Sequence, residues 1–161
     1  MTTVYISHPA CLEHETGSDH PESRQRLYAI EDALISAGLM NLLRRIDAPR
    51  VTREQLCRVH SPAYVDEIER LAPQSDLLTL DADTVMGPHS LEAACRAAGA
   101  MVQGVDMVTG GETDTVFCAT RPPGHHAGRS SAMGFCIFNL SLIHISEPTR
   151  QESRSRMPSS A

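Results

Sequence analysis

The sequence predicts an α/β layered fold, an open parallel sheet with flanking helices, and three observations carry that reading. The order of elements is strand, helices, one long helix, strand, as α/β layering requires. Residues 115–119 (TVFCA) form a near-continuous apolar run, the pattern of a parallel strand buried on both faces. The 161 residues are 41% hydrophobic and 21% charged, an ordinary globular balance for one domain or a piece of one.

Taken in order, residues 3–6 (TVYI) read as a first strand. Residues 8–21 are polar, with Gly17, Asp19 and Pro21 as breakers. Ser23 suits the N-cap of a helix over 24–37, with Leu27, Ile30, Leu34 and Ile35 on one face and Gly38 as its stop. Thr52 with Gln55 three residues on fits a capping box for a second helix. Ser61-Pro62 opens a third over 63–71, since proline is favoured in the first turn. Residues 72–88, with Pro73, Asp81, Asp83, Gly87 and Pro88, read as loop. Residues 90–108 are the longest helical pattern, closed by Gly110-Gly111.

Composition excludes several classes. There are 14 basic residues, all Arg, against 20 acidic ones, a net charge of −6 without a basic cluster, which argues against nucleic acid as a partner. No apolar run approaches 18 residues, so no membrane-spanning helix is expected, and the first twenty residues lack a signal-peptide pattern. A cytoplasmic location is the expectation. Five scattered Cys without a C-x-x-C pair make a disulfide framework or a Cys-built zinc site improbable.

The chemistry concentrates in 121–139, RPPGHHAGRSSAMGFCIFN, directly after the second strand. In open α/β sheets, ligands bind beyond the carboxyl ends of the strands. Pro122-Pro123 stiffens the exit and Gly124 permits a tight bend. His125 and His126 are adjacent imidazoles, and histidine is the side chain suited to moving protons near neutral pH. Both face one centre only if the chain turns there; otherwise they are ordinary loop histidines. Phe135, behind Gly134, suits either the wall of a narrow apolar channel or the core.

These residues resemble the histone deacetylase superfamily, particularly its bacterial and class II-like members. RPPGHHA with GFCIFN carries the likeness, and so do His20-Pro21-Glu22 with Arg26-Leu27, and Val59-His60-Ser61 with Tyr64-Val65, in the family order. The resemblance covers 1–139. It implies an arginase–deacetylase type of sheet, present in part, and a zinc-dependent amidohydrolase releasing acetate from acetyl-lysine, acetylpolyamines or similar amides. It implies that His125 and His126 are the catalytic pair acting at the attacking water, and that Phe135 with Gly134 lines the acyl-lysine tunnel. It matches Asp83 to a position that hydrogen-bonds substrate backbone in some relatives, though a solvated or capping Asp fits equally. It matches Arg26 to an arginine at the base of the pocket, though a surface position on a helix fits equally. Cys136 reads as a small buried hydrophobe, and His8, His14, His20, His60 and His89 as turn or cap residues. A non-catalytic α/β binding module with a structural GHH loop is the alternative of another class. The substrate and the oligomeric state stay open.

The family's zinc ligands, two Asp and one His, and a later Tyr are expected downstream of the GFC segment, so the expectation for this chain is no bound zinc and no activity. Asp81, Asp83 and Asp114 precede the tandem histidines, and the last 22 residues offer His144 but no Asp. Composition also shifts at Leu140: the front holds 9 Ser in 139 residues and the tail 6 in 22. Residues 140–150, LSLIHISEPTR, resemble the translation of a transposase adapter used in short-read sequencing libraries. The expectation is therefore a deacetylase-like fragment over 1–139, joined to a non-native tail over 140–161 that docks nothing and is disordered. The strand at 115–119 would then lack neighbours, and the chain would be poorly soluble.

Overall fold

The structure is a computed structural model that describes residues 2–144. Its sheet has three parallel strands in the order β2-β1-β5: β1 (Thr3–Ser7) at the centre, β2 (Arg44–Asp47) on one side and β5 (Thr115–Cys118) on the other. The register pairs Val4 with Arg44 and Val116, and Ile6 with Ile46 and Cys118. Alternation along β1 sends successive side chains to opposite faces. Val4 and Ile6 join Ala48, Ala100 and Met107, so one face lies under α4 (Ser90–Thr109). Tyr5 joins Cys11, Leu27 and Ala119, with Ile30 and Leu34 of α1 (Gln25–Ser36) against them, so α1 covers the other face.

Local signals set most of the helices. Thr52 and Gln55 form the reciprocal capping box of α2 (Arg53–Cys57), with bonds of 3.2 and 2.9 Å. The Ser61 hydroxyl accepts from the Tyr64 N–H at the start of α3 (Pro62–Leu71). The long helix α4 ends in a Schellman arrangement: Glu112 N–H bonds the Met107 carbonyl, Gly111 N–H bonds that of Val108, and Gly111 takes φ +74°. Gly104 of this helix lies so close to β5 that an added Cβ would sit 3.0 Å from Val116 Cγ1.

Four expectations about these elements are corrected, and a fifth concerns the tail. Ser23 does not cap α1; its carbonyl receives the Arg26 N–H and no side chain caps that end. Ile35 is 62% exposed, because it lies about 100° round the helix from Leu34, off the sheet-facing stripe. The stretch 72–88 is not all loop: β3 (Leu78–Asp81) and β4 (Thr84–Met86) form an antiparallel hairpin with Ala82-Asp83 at its tip. β5 is parallel as expected but not buried on both faces. Among the described residues its outer edge has no partner strand, and Phe117, stacked on Tyr5 at 6.0 Å, stays 46% exposed.

A third cluster joins α2, α3, β4 and α4 to the segment after Phe135. Leu56, Tyr64, Val65, Ile68, Met86, Ile137 and Phe138 are buried in it. So are Leu140 and Ile143, and a Cβ on Gly124 would run into the Leu140 side chain. The start of the expected undocked tail is therefore seated in the core as far as Ile143. Residues 145–161 lie outside the described residues.

Candidate functional site

Parallel pairing brings the carboxyl ends of β1 and β5 side by side, with Ile6 opposite Cys118. The two loops that leave there hold the HPE and RPPGHH segments, and they are tied together by a buried ion pair. Arg121 donates from Nε and Nη2 to the Glu22 carboxylate at 2.9 and 2.7 Å, and from Nη1 to the Cys11 carbonyl at 3.1 Å. Burial alone would raise the Glu22 carboxyl, but the hydrogen bonds and charge of Arg121 outweigh it and hold the group below the usual carboxylate range. His14, buried beside them, bonds Ser90 Oγ through Nδ1 at 2.7 Å. Burial pushes its pKa down to about 4, so it stands neutral next to Glu22. Arg26 donates to the Thr120 carbonyl at 2.9 Å, one residue before this knot.

Beyond Arg121, the cis Arg121-Pro122 peptide and Pro123-Gly124 deliver His125 and His126 to the surface. Their rings lie 4.1 Å apart between centroids, tilted by 48°, so the chain does turn and the two imidazoles share one side of the loop. The His125 N–H donates to Cys136 Sγ at 3.4 Å, and that thiol donates to the Gly134 carbonyl. Cys136 is buried, as read from sequence, and it also ties the histidine loop to the segment opposite.

That segment is a tight turn, Met133 to Cys136, closed by backbone bonds of 3.1 and 3.0 Å. Gly134 and Phe135 both take positive φ, +58° and +68°, as in turns of the I′ type. The Gly134 backbone lies against the His126 ring; a Cβ there would sit 2.7 Å from Cδ2. The tip of the β3–β4 hairpin meets the turn from the other side. Asp83 Oδ1 accepts from the Gly134 N–H and Thr84 Oγ1 from the Phe135 N–H, each at 3.1 Å. The His20 ring packs edge-on against Phe135 at 4.8 Å. Its Nδ1 accepts from the Glu22 N–H, which leaves the proton on Nε2 to donate to the Asp83 carbonyl at 3.1 Å.

Of the residues expected from sequence, His125, His126, Gly134, Phe135 and Asp83 form one connected group; Arg26 stands apart, at the strand exit. Sequence reasoning did not find Thr84 or the Glu22–Arg121 pair, although HPE and the Arg before PPGHH stood within quoted motifs. The VHS…Y segment braces the far end of the loop. His60 Nε2 accepts from the Asn139 N–H, Asn139 Nδ2 donates to the Ala127 carbonyl, and Tyr64 OH donates to the Ile137 carbonyl. Among the described residues no three His, Cys, Asp or Glu side chains converge to hold a metal ion. A catalytic zinc needs three protein ligands, so the described residues do not by themselves fit that group. Among them, no helix is long and apolar enough to cross a membrane.

Tandem imidazoles thus stand at the carboxyl end of a strand in an open α/β sheet, faced by an aromatic turn. The chain belongs to the histone deacetylase domain family, whose model matches residues 20–157. It is 34% identical over 134 residues to the histone deacetylase-like amidohydrolase of Pseudomonas aeruginosa, covering 83% of this chain and 33% of that protein. It is 36% identical over 154 residues to the human polyamine deacetylase HDAC10, covering 86% of this chain and 22% of that protein. The crystal structure of the HDA15 HD domain superposes with a TM-score of 0.84 at 32% identity, over 89% of this chain and 42% of that one, and the fold is of the arginase–deacetylase type. The chain spans less than half the length of the curated relatives it matches.

Proposed function

We propose that residues 1–139 are the N-terminal part of a zinc-dependent deacetylase domain that hydrolyses acetyl-lysine or related N-acetyl amides to amine and acetate, the metal being held by residues other than those described. The 4.1 Å imidazole pair at the strand exit, in a chain of this family, is the observation that supports it. Water oxygen bonds to the amide carbonyl carbon and gives its proton to a ring nitrogen of one imidazole. The neighbouring imidazole steadies the developing charge. The C–N bond then breaks, the proton passes to the departing amine nitrogen, and acetate remains. Phe135 would hold the acyl chain in register. Acetylpolyamines are the second candidate substrate, favoured by the likeness to the polyamine deacetylase.

The test is acetate release from an acetyl-lysine peptide and from an N-acetylpolyamine, by the reading frame that continues residues 1–139 in source DNA. Turnover is expected there and absent from the 161-residue chain. His125→Ala and His126→Ala should each lower the rate about 10²–10⁴-fold, the range for lost acid–base catalysis. Near-native turnover in both variants would overturn the assignment.

A further inference from the structure

We propose that Asp83 and Thr84 are the positioning pair of this site, setting the place of His126 and Phe135 together without touching reacting atoms; this rests on the tandem histidines being the reacting groups. A phenylalanine at φ +68° is in the left-handed region that a Cβ disfavours, and it persists only where its surroundings hold it. The holding groups are those of the hairpin tip. Thr84 is fully buried in β4. Its hydroxyl donates to Asp83 Oδ1 at 3.2 Å, which leaves its oxygen to accept the Phe135 N–H. Asp83 Oδ1 receives the Gly134 N–H as well. The two N–H groups at the tip of the turn are therefore both taken, one by each side chain.

The same dipeptide reaches the other side of Phe135. The Asp83 carbonyl accepts from His20 Nε2, and the His20 ring is the surface on which Phe135 rests edge-on. Movement of the hairpin tip thus moves the turn and its backing ring as one. Gly134 passes that movement on, because the space between its backbone and the His126 ring is too small even for a Cβ. Asp83 acts through Gly134, a role different from the contact with substrate backbone that the family resemblance implies for its position.

The test uses the 161-residue chain and needs no substrate. Thr84→Val keeps the shape and removes the hydroxyl; Thr84→Ser restores it. In Thr84→Val, the Phe135 amide should exchange with solvent about fivefold faster, the fold-change expected when one net hydrogen bond of about 1 kcal/mol is lost. The His126 and His20 ring signals should move with it, while amides of β1 and α4 keep their rates and Thr84→Ser returns all three readouts. Unchanged Phe135 exchange and ring signals over an intact core would overturn the proposal, as would a Thr84→Ser that behaves like Thr84→Val. If Thr84→Val loses the core, Asp83→Ala decides: faster Gly134 exchange with shifted His126 signals supports the pairing, and neither change overturns it. In the continued reading frame, Thr84→Val should lower kcat/KM by about tenfold to a hundredfold through misplacement, with rescue by Thr84→Ser. Absence of turnover in the unmutated protein counts against the functional reading, and the exchange result stands separately.

Discussion

Arg121 and Glu22, 99 residues apart in the chain, meet as a bidentate pair whose side chains are 1% and 5% exposed. This contact joins the loop after β1 to the loop after β5, and the tandem histidines follow four residues later. Removing one partner of a buried pair strands the other charge and costs about 3–5 kcal/mol. Arg121→Met should therefore lower the urea midpoint by that equivalent with m unchanged. Arg121→Met/Glu22→Met should recover part of the loss. A single-variant cost under about 1 kcal/mol would contradict the role given to the pair.

Acid should weaken the fold in two stages. His14 has an ordinary pKa of 6.5 unfolded and about 4 folded, so between those values the unfolded chain binds more protons. Its contribution is complete above pH 6.5 and drains as pH falls toward 4, by roughly 3 kcal/mol at most. Glu22, also depressed when folded, adds a loss below the usual carboxylate range. Unfolding free energy measured from pH 8 to 4 should be level at first and then fall, and His14→Gln should flatten the upper part of the decline. Stability that rises between pH 6.5 and 5 would refute this.

Gly134→Ala should be costly for two reasons at once, a left-handed φ and a Cβ pressed on the His126 ring. The expected penalty exceeds about 1 kcal/mol, with displaced His126 ring signals. Gly38→Ala is the control. It shares the positive φ, +69°, but its added Cβ meets nothing within 4 Å, so it should destabilise without moving either imidazole.

Residues 140–161 are expected to be absent from the source genome, which amplification across the codon for Asn139 checks directly. An in-frame genomic read-through to a stop codon after Ala161 would overturn that. Whatever their origin, Leu140 and Ile143 are buried, so truncation at Asn139 should lower thermal stability. An unchanged melting temperature would contradict the packing.

Much of this structure was legible because its causes are local. The capping box at Thr52, the proline start of α3 and the glycine stop of α4 each lie within a few residues of the element they bound. So does the bend at PPGHH. The β3–β4 hairpin was hidden because its strands are only 4 and 3 residues long and sit among breakers. β2, RRID, was hidden by its charges: three of its four residues are exposed at the sheet's edge. Thr84 could not be read as part of the site, since its partner is 51 residues away and nothing in its neighbours' periodicity points there. Ile35 shows the converse: its apolar character suited the helix face, and only the position of the sheet decided that it stays outside.

The left-handed Phe135 would set stability against the proposed activity at a single position. Glycine or asparagine adopts that backbone at less cost. A selection for folding alone, blind to catalysis, should therefore enrich Gly or Asn at 135 and leave Gly134 untouched. A selection for turnover should restore the ring at the expense of melting temperature. The two libraries would diverge at this codon first, and the size of the divergence would measure what the ring of Phe135 contributes to the proposed reaction.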